Sequence, residues 1–401
     1  MVFLPAEASA SGFPVLRHPQ KVLRVPSYPW KVLRVGRSSR GVPSGRACGR
    51  GGGVRVLVGL SGGVDSSATV ARLLARGHEV VAATLVMARG GVPVPPDDAM
   101  ARARALCASL GVEHHAVDVS DAFERRVCAP FAEAYAAGIT PSPCVACNRS
   151  VKVASLLDLA DSLGCDRVAT GHYVRLVAGD DGVTHVARAE DRSKDQSYYL
   201  CELSPAQVAR LLAPLSGATK SEVRAEARAA SLPAADAPDS MGVCFAPGGD
   251  YRAFLRGRRP DAFEPGDIVD EEGRVLGRHG GIAGFTVGQR KGLNIRTGGG
   301  PWFVSSVDPA TRQVRVGTGV RPLRASFPLT GVVLGHDPAW YRGRDLLVQT
   351  HHRGRPEPAT VTVTAPGEAL VGLAGPGTLA APGQTCAVYD GDTVVAGGTI
   401  A

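Results

Sequence analysis

Val54–Leu60 (VRVLVGL) runs directly into Ser61–Ser67 (SGGVDSS), and this junction decides the fold. The first stretch has the apolar run of a buried strand. The glycine pair allows a tight turn and a close approach of the backbone to a ligand. The serines stand at the start of the next helix, where the helix dipole favours anions, and Asp65 adds a carboxylate suited to a magnesium–phosphate complex. The junction therefore predicts a phosphate-binding loop between a strand and a helix.

This loop is not that of the NTPases that transfer a γ-phosphate, because GxxxxGK[ST] occurs nowhere in the sequence. SGGVDSS instead resembles the PP-loop of ATP pyrophosphatases, enzymes that attack the α-phosphate of ATP and release pyrophosphate. An ordinary Gly/Ser turn is the alternative, and the order of strand, glycine pair, Asp and two serines disfavours it. The loop by itself does not identify the group that becomes adenylated.

The composition is typical of a globular protein of two or three domains. The 401 residues are 44% apolar and 20% charged, and they contain no apolar run of about 18 residues that would predict a membrane span. Nine cysteines, several in predicted core segments, indicate reduced thiols and a cytoplasmic location rather than a disulfide scaffold.

The net charge of +8 is concentrated at the start of the chain. Residues 1–55 contain ten Lys or Arg and one acid, Glu7, whereas the remaining 35 basic and 36 acidic residues nearly cancel. Bulk charge therefore gives no argument for nucleic-acid binding. An aromatic content of 5% also disfavours a stacking surface for single strands.

Residues 1–53 are basic, rich in Ser, Pro and Gly, and repeat KVLRV at 21–25 and 31–35. No helical or strand periodicity persists there. We expect a disordered basic extension or sequence upstream of a misassigned start codon, with an organelle transit segment as a further alternative. The misassigned start is favoured, because Val54 opens the first strand and valine codons can act as bacterial starts.

Strands and helices then alternate up to about residue 175. After the first strand, the predicted strands are Glu79–Val86, Val112–Val119 and Asp166–Thr170, and the predicted helices are Ser66–Arg76, Asp97–Leu110 and the stretches near 120–137 and 151–163. This alternation predicts an α/β fold with a doubly wound parallel sheet. Ligands bind such sheets at the carboxyl ends of the strands, where residues 61–67 fall. Helical patterns continue to about 230, in SPAQVARLLAPL and TKSEVRAEARAA.

Past residue 260, short apolar runs such as DIVDEEGRVLG, GFTVGQRKG and WFVSSVDPATRQVRVG are separated by Gly, Pro and Asp, which indicates antiparallel sheet. We predict a PP-loop ATP-binding catalytic domain over 54–255, a small central linking domain over 256–321 and a C-terminal antiparallel β-barrel over 322–401. A sandwich is the alternative to the barrel.

Two cysteine-bearing segments carry the predicted sulfur chemistry. Thr140–Asn148 (TPSPCVACN) is a predicted rigid loop, because its two prolines fix φ and lack backbone donors. It presents Cys144 and Cys147 at CxxC spacing, and Cys244 follows in a second predicted loop, Asp239–Phe245 (DSMGVCF). A thiolate is the nucleophile in sulfur chemistry, and nearby cations favour it. The two segments therefore suit a reaction in which a cysteine thiolate acts as the nucleophile in sulfur transfer.

The CxxC pair alone would also fit half of a structural zinc site. No second CxxC or HxxxH in the sequence completes one, so zinc is disfavoured, and a thioredoxin-like redox motif is weaker still. Arg149 and Lys152 lie close to Cys147 in sequence and favour its thiolate. The remaining cysteines are expected to be buried or spectators: Cys48, Cys107, Cys128, Cys165, Cys201 and Cys386.

Six motifs in order carry a closer resemblance. After SGGVDSS and TPSPCVACN come ATGHYVR (169–175), KDQSYYL (194–200), DSMGVCF (239–245) and GFTVGQRKGL (284–293). From about residue 54 to its C-terminus the chain resembles the bacterial tRNA-specific 2-thiouridylases. This resemblance, and not the composition, implies tRNA as a substrate.

The resemblance implies that ATP, with Mg²⁺, adenylates O2 of the wobble uridine (U34) and that sulfur then replaces this oxygen, with release of AMP and pyrophosphate. The residues that match the family's nucleotide contacts are Gly59, Leu60, Ser61, Gly62, Gly63, Val64, Asp65, Ser66, Leu85 and Gly171. The residues that match its tRNA contacts are Ser142, Pro143, Cys144, Lys194, Asp195 and Gln196.

For sulfur delivery, Cys244 matches the cysteine that accepts a persulfide from a cysteine desulfurase or a sulfur-relay protein. Cys147 matches the nucleophile that forms a transient disulfide with it as sulfur passes to C2. The family resemblance also suggests the tRNAs for Lys, Glu and Gln as substrates.

The chain departs from its relatives at two places. Cys144 stands where many relatives carry an Asp, a candidate general base, and together with Cys147 and Cys244 it would suit an iron–sulfur cluster with one open iron. We favour the persulfide route over such a cluster-dependent thiolase. Residues 351–353 (HHR) replace a basic–aromatic pair; Arg353 is a candidate phosphate contact, and the two histidines are expected on the solvated surface.

Two other function classes share the PP-loop. A PP-loop amide ligase would not need the cysteines, so its activity would survive Cys147→Ser. A catalytically silent RNA-binding or scaffold protein is disfavoured, because Asp65, Ser66 and the three cysteines are all present.

Overall fold

The computed structural model describes residues 32–33, 53–87, 96–238, 242–246, 250–296, 300–318 and 323–401. Its strands are β1 (Val32–Leu33), β2 (Arg55–Gly59), β3 (Glu79–Val86), β4 (Glu113–Asp118), β5 (Arg167–Thr170), β6 (Val174–Ala178), β7 (Thr184–Arg188), β8 (Leu211–Leu212), β9 (Gly266–Val269), β10 (Val275–His279), β11 (Trp302–Asp308), β12 (Gln313–Thr318), β13 (Ser326–Leu334), β14 (Leu346–Gln349), β15 (Glu357–Ala365), β16 (Glu368–Leu373), β17 (Thr385–Asp390) and β18 (Thr393–Ile400). Its α-helices are α1 (Val64–Ala75), α2 (Asp97–Leu110), α3 (Ser120–Phe123), α4 (Ala129–Ala136), α5 (Pro143–Cys147), α6 (Val153–Ser162), α7 (Pro205–Ala209), α8 (Lys220–Ala229) and α9 (Tyr251–Arg256).

The first sheet is parallel throughout, in the order β1-β4-β3-β2-β5-β8. Its central strand β2 is buried on both faces. Leu57 joins a core cluster with Leu156 of α6, whereas Val56 and Val58 join another with Leu73 of α1. Helices therefore cover both faces, and the predicted doubly wound α/β fold is confirmed.

The prediction for residues 1–53 falls almost entirely outside the described residues. Within them, Val32–Leu33 forms β1 and pairs with Ala116 and Val117 of β4. The prediction of an extension or a misassigned start stays a prediction.

The C-terminal sheet closes into a barrel. Strands β13, β16, β15, β14, β17 and β18 follow one another around it, and β13 also pairs with β18. The predicted antiparallel β-barrel is confirmed. Hairpin β6–β7 of the first domain, which the sequence analysis did not predict, extends this sheet through the pair Ala187–Thr393.

A four-stranded sheet in the order β10-β9-β12-β11 lies between these two regions along the chain. Strands β11 and β12 pair as a hairpin, which agrees with the antiparallel sheet predicted from WFVSSVDPATRQVRVG. The motif GFTVGQRKG was also expected in this sheet, but it forms turns after a short 3-10 helix, Ile282–Gly284. The exact domain boundaries stay predictions. None of the helices that the structure describes combines the length and apolarity that a bilayer crossing needs.

Two local predictions are wrong. Residues 143–147 form helix α5 rather than a loop, because Pro143 occupies the first helical turn, where its missing N–H costs no hydrogen bond. The helix continues through a π-helical turn, Asn148–Lys152, into α6. The helix expected over SPAQVARLLAPL ends at Ala209, because Leu211–Leu212 instead form β8 and pair with β5.

Candidate active site

The loop after β2 takes the shape of an anion cradle. Gly62 has a φ of +76°, and a Cβ there would lie 1.9 Å from the carbonyl oxygen of Ala99, so only glycine fits. Gly63 precedes α1, and no side chain among the described residues caps this helix. The N–H groups of its first turn therefore face the loop without intrahelical acceptors, as an anion site requires.

Hydroxyl groups fix the loop from inside. The Ser66 and Ser67 hydroxyls donate to the Gly63 carbonyl oxygen at 3.1 and 2.9 Å, and the Ser61 N–H donates to Ser66 Oγ at 3.2 Å. Arg102 of α2 donates from Nε to the Gly62 carbonyl oxygen at 3.0 Å. These bonds hold the cradle open in one conformation.

Asp65 is bound by two residues that the sequence analysis missed. Lys220 Nζ lies 2.7 and 2.6 Å from the two carboxylate oxygens, and the Tyr173 hydroxyl donates to Oδ1 at 2.7 Å. Tyr173 belongs to the ATGHYVR motif, so the motif contained a signal. Lys220, the first residue of α8, is 155 positions from Asp65 and stands in no recognisable pattern.

The turn after β5 closes over the cradle. A Cβ on Gly171 would lie 2.8 Å from the Ser66 nitrogen and 3.1 Å from Asp65 Cβ. Leu85 is buried near the carboxyl end of β3, beside β2. The structure thus brings the ten residues with predicted nucleotide contacts to the carboxyl edge of the sheet; whether they contact a nucleotide stays a prediction.

The sulfur residues lie on α5 and on the 242–246 segment. Cys147 is buried, whereas Cys144 and Cys244 are exposed, and within the described chain all three are free thiols. Phe245 anchors Cys244, since its ring packs edge-on against Phe131 of α4 at 5.1 Å between centroids.

The Lys152 ammonium interacts electrostatically with all three thiols. Burial raises the pKa of Cys147 to about 12, and the positive charge of Lys152 acts in the opposite direction. Lys152 acts likewise on the pKa values of Cys144 and Cys244, which desolvation by the surrounding protein raises although both residues keep exposed surface. Burial lowers the pKa of Lys152, but the negative charge that the three sulfurs carry as thiolates has the larger combined effect, and the pKa of Lys152 is raised overall. The four groups therefore form one electrostatic unit.

His172 connects this unit with the cradle. Burial, with a smaller contribution from the charge of Lys152, lowers the pKa of His172 to about 3. Its Nδ1 lies 2.7 Å from Thr170 Oγ1. His172 directly follows Gly171 in the 170–172 turn. The turn therefore contacts the anion cradle through Gly171 and lies near Lys152 through His172.

The predicted tRNA contacts divide into two groups. Three side chains accept internal hydrogen bonds: Ser142 from the Thr385 N–H at 3.0 Å, Asp195 from the Ala189 N–H at 3.0 Å and Gln196 from the Tyr173 N–H at 2.9 Å. Cys144 and Lys194 are exposed, and Pro143 is partly buried in α5. The first group shapes the site, and only the second presents exposed side chains.

A barrel loop contacts Tyr199, a residue that interacts electrostatically with Cys144. The His352 ring stacks on Tyr199 at 4.5 Å between centroids. Burial raises the pKa of Tyr199 to about 12; the charge of Cys144 acts in the same direction, and the charge of Arg353 acts in the opposite direction. The expected solvated position fits His351, which is exposed, but not His352, which is half-buried. The barrel therefore contributes to the wall beside the thiols.

Comparisons with known proteins cover the same three regions. Family models described as tRNA methyl transferase HUP domain, tRNA methyl transferase PRC-barrel domain and aminomethyltransferase beta-barrel domain match residues 54–248, 252–318 and 335–400. A solved U34-tRNA thiolase NcsA from Methanococcus maripaludis with its [4Fe-4S] cluster is 19% identical, with 52% of this chain and 67% of that one covered at a TM-score of 0.33, a likeness too weak to carry a functional argument.

Relatives with much higher identity share one name. The tRNA-specific 2-thiouridylase MnmA of Chloroflexus aurantiacus is 42% identical over 353 residues, which cover 86% of this chain and 98% of that protein. The MnmA of Sorangium cellulosum is 42% identical over 361 residues, covering 87% and 92%. The resemblance carried by the six motifs is confirmed, and the chain belongs to the tRNA-specific 2-thiouridylase family.

Proposed function

We propose that the protein catalyses the ATP-dependent 2-thiolation of the wobble uridine of tRNA, with release of AMP and pyrophosphate. The observation that carries this proposal is the 170–172 turn, which joins an anion cradle to a cation shared by three thiols. Oxygen activation and sulfur delivery must meet at one carbon, and this turn brings the two sets of groups together. We expect the reaction to take place in the cytoplasm, where tRNA and ATP are found.

The cradle would bind the phosphates of ATP. The first-turn N–H groups of α1 and the Lys220 ammonium supply positive charge to phosphate oxygens. The Asp65 carboxylate and the Ser61 and Ser66 hydroxyls are hard oxygen ligands that suit Mg²⁺, which neutralises phosphate charge when bound. Uracil O2 attacks the α-phosphorus, the bond to the pyrophosphate oxygen breaks, and the product is a 2-O-adenylated uridine.

Sulfur would arrive on Cys244, whose exposure leaves it accessible to a cysteine desulfurase or a sulfur-relay protein. The terminal sulfur of its persulfide attacks C2. The Cys147 thiolate then attacks Cys244 Sγ, the S–S bond of the persulfide breaks, and its electron pair stays on the sulfur at C2. AMP departs, and the Cys147–Cys244 disulfide is later reduced by an external thiol.

The Cys147 thiol is protonated at rest, because burial places its pKa at about 12. A base must therefore remove its proton, and the Lys152 ammonium stabilises the thiolate that forms. Burial keeps this thiol from reacting with solutes before tRNA arrives. The tRNA would bind over Cys144, Lys194 and the 351–353 loop, with the tRNAs for Lys, Glu and Gln as the expected substrates.

Mass spectrometry of tRNA nucleosides tests the proposal. Deletion of the gene should abolish 2-thiouridine, and complementation with wild type or with Cys165→Ser should restore it, because Cys165 lies two residues before β5, outside the site. Cys147→Ser and Cys244→Ser should not restore it. Normal 2-thiouridine in the deletion strain, or full rescue by Cys147→Ser as a PP-loop amide ligase would allow, contradicts the proposal.

The iron–sulfur alternative has its own test. Cys144, Cys147 and Cys244 share Lys152 and would all be needed as cluster ligands. Anaerobic purification should yield protein without stoichiometric iron that thiolates tRNA, and Cys144→Asp should remain active. Stoichiometric iron that is lost in each of the three cysteine variants would replace the persulfide route by the cluster.

A further inference from the structure

Three metal-ligating side chains meet where the first domain contacts the barrel. Asp181 lies in the turn of hairpin β6–β7, His185 lies on β7, and His336 follows β13. One potential ligand atom from each lies within 4.8 Å of the other two. Asp181 Oδ2 is 2.9 Å from His336 Nδ1, and Asp181 Oδ1 is 3.8 Å from His185 Nε2.

His185 gives an independent indication of a ligand site at this position. The residue is 96% buried, with a relative exposure of 4%, and its Nε2 has no hydrogen-bond partner among the described residues. The 3.8 Å to Asp181 is too long for a hydrogen bond. A buried polar atom normally has a partner, because leaving it without one costs free energy.

The surroundings leave room for an ion and fix the rings. A Cβ on Gly179 would lie 2.8 Å from Asp181 Oδ1 and 3.0 Å from His185 Nε2, so any larger residue would fill the space between them. The His336 ring stacks on His185 at 4.6 Å and on Trp340 at 4.1 Å between centroids. Stacking on both faces limits rotation of His336, as supporting residues do around metal ligands.

We propose that Asp181, His185 and His336 bind one divalent transition-metal ion of the zinc class, which ties hairpin β6–β7 to the C-terminal barrel. Two imidazole nitrogens and one carboxylate suit Zn²⁺, with ligand bonds of about 2.0–2.2 Å and a fourth position open to solvent beside the exposed Asp181. Tetrahedral ligands at such distances are about 3.3–3.5 Å apart, so the 3.8 Å and 2.9 Å separations of the Asp181 oxygens from His185 and His336 would each change by about 0.5 Å.

The ion would have a structural role. Strands β7 and β18 share the single register pair Ala187–Thr393, so little backbone pairing holds the hairpin to the barrel. His336 belongs to the barrel and Asp181 and His185 to the hairpin, so one ion would link both. These residues are not among those to which the proposed thiolation assigns a chemical role.

Metal binding by the chelator-treated full-length protein tests this inference, with Co²⁺ as the spectroscopic probe and Zn²⁺ as the competitor. One equivalent of Co²⁺ should give the visible d–d absorption of nitrogen and oxygen ligands, and Zn²⁺ should displace it and raise the Tm. His336→Gln and His185→Gln should each weaken binding by at least about 100-fold, since even outer-shell partners carry 10–100-fold. Asp180→Asn, a change at the neighbouring exposed carboxylate, should bind as wild type does.

Three results would overturn it. The first is the absence of d–d absorption in wild type. The second is binding that survives both histidine substitutions. The third is a thiolate charge-transfer band that is lost in Cys147→Ser, which would assign the metal to the cysteines. If His185→Gln fails to fold because this residue is buried, His336→Gln and Asp181→Asn decide, with circular dichroism to verify folding.

Discussion

Cys147 combines burial with a neighbouring cation, two influences that oppose each other. Removing the thiol from water disfavours its charged form, whereas the ammonium of Lys152 favours it, and burial prevails. A nucleophile in this state is stable against solutes but needs its cation when it reacts. The balance makes Lys152 the residue whose charge sets how readily the thiolate forms.

Substitution of Lys152 should therefore slow alkylation of Cys147. We expect the rate with iodoacetamide to rise with pH throughout pH 7–10, because the pKa of about 12 lies above this range. Lys152→Met should lower the rate at each pH by about tenfold, which corresponds to one pKa unit, whereas Lys152→Arg should retain most of it. Peptide mass spectrometry gives the rate at Cys147 alone; a plateau below pH 9 or equal rates in the two variants would contradict this account.

The Asp65–Lys220 pair offers a second residue-scale test. Lys220→Met should lower ATP affinity and destabilise the fold by about 1–3 kcal/mol, below the 3–5 kcal/mol of a fully buried pair, since Asp65 keeps part of its exposure. Tyr173→Phe removes one hydrogen bond to the same carboxylate and should cost only about 1 kcal/mol. Calorimetric ATP titration and urea unfolding measure both effects. Equal losses in the two variants would mean that the Lys220 charge is unimportant.

At the residue scale, the sequence predicted the site residues that stand within recognisable motifs. It did not predict those that reach the site from distant parts of the chain. Gly62 and Asp65 stand in a recognisable loop, so their role could be expected. Lys220 reaches Asp65 only because α8 packs on α1, a tertiary contact with no local signature. Ser142 and Gln196 were expected to face tRNA, but backbone N–H groups of other elements engage them, which no pattern in their own segments indicates.

At the scale of elements, a hydrogen-bonded chain crosses three strands beneath the cradle. His114 Nε2 on β4 lies 2.8 Å from Thr84 Oγ1 on β3, and Thr84 Oγ1 donates to the Leu60 carbonyl oxygen at 2.7 Å, just after β2. Burial lowers the pKa of His114 from 6.5 to about 4, with smaller contributions from Arg104 and His115. The neutral ring is therefore part of the folded sheet.

This predicts an acid-sensitive sheet. A depressed pKa in the folded state gives stability that is present above the unfolded value of 6.5 and is lost as pH falls toward 4. Between pH 7.5 and 5, His114 should account for about 2 kcal/mol of lost stability. His114→Gln keeps a donor but no titratable group, so urea unfolding should show a correspondingly smaller loss. An identical pH dependence in both proteins would contradict the assignment.

Elements with strong local patterns were predicted with their bounds. Strand β3 and helix α2 match the predicted residues, and α2 ends where Gly111 adopts a φ of +65°. Hairpin β6–β7 was missed because its neighbour β18 lies about 200 residues later. The apolar pair Leu211–Leu212 is compatible with either a helix or a strand. It forms a strand because it pairs with β5, a contact that the local sequence does not indicate.

At the scale of the whole molecule, the barrel packs on the first domain through apolar residues that lie outside the barrel's own core. Ala387, Tyr389 and Val394 join the core cluster that includes α4 and α6 rather than the cluster inside the barrel. The Tyr198 hydroxyl donates to the Thr385 carbonyl oxygen at 2.8 Å, which adds a polar contact. Both regions therefore contribute to the surroundings of the thiols, because His352 of the barrel stacks on Tyr199, whose pKa is raised in part by the charge of Cys144.

Loosening this contact should impair tRNA thiolation and spare ATP binding, because the cradle lies wholly in the first domain. Tyr389 is fully buried. Its hydroxyl oxygen lies 3.2 Å from Ser197 Oγ. The Arg188 guanidinium lies 4.2 Å from the centroid of the Tyr389 ring. We expect Tyr389→Ala to destabilise the protein by about 3–5 kcal/mol, to expose the barrel to limited proteolysis and to lower kcat/KM for tRNA.

The matched control is Asp392→Asn at the rim of the same contact. The Asp392 carboxylate pairs with Arg175 and Arg192 but is 40% exposed, so its loss should cost less than about 1 kcal/mol. Calorimetric ATP titration should give wild-type affinity for both variants. If Asp392→Asn releases the barrel as readily as Tyr389→Ala, surface charge and not buried packing holds the two regions together. If Tyr389→Ala also loses ATP affinity, the cradle depends on the barrel, and the separation of nucleotide and tRNA binding between the two regions is wrong.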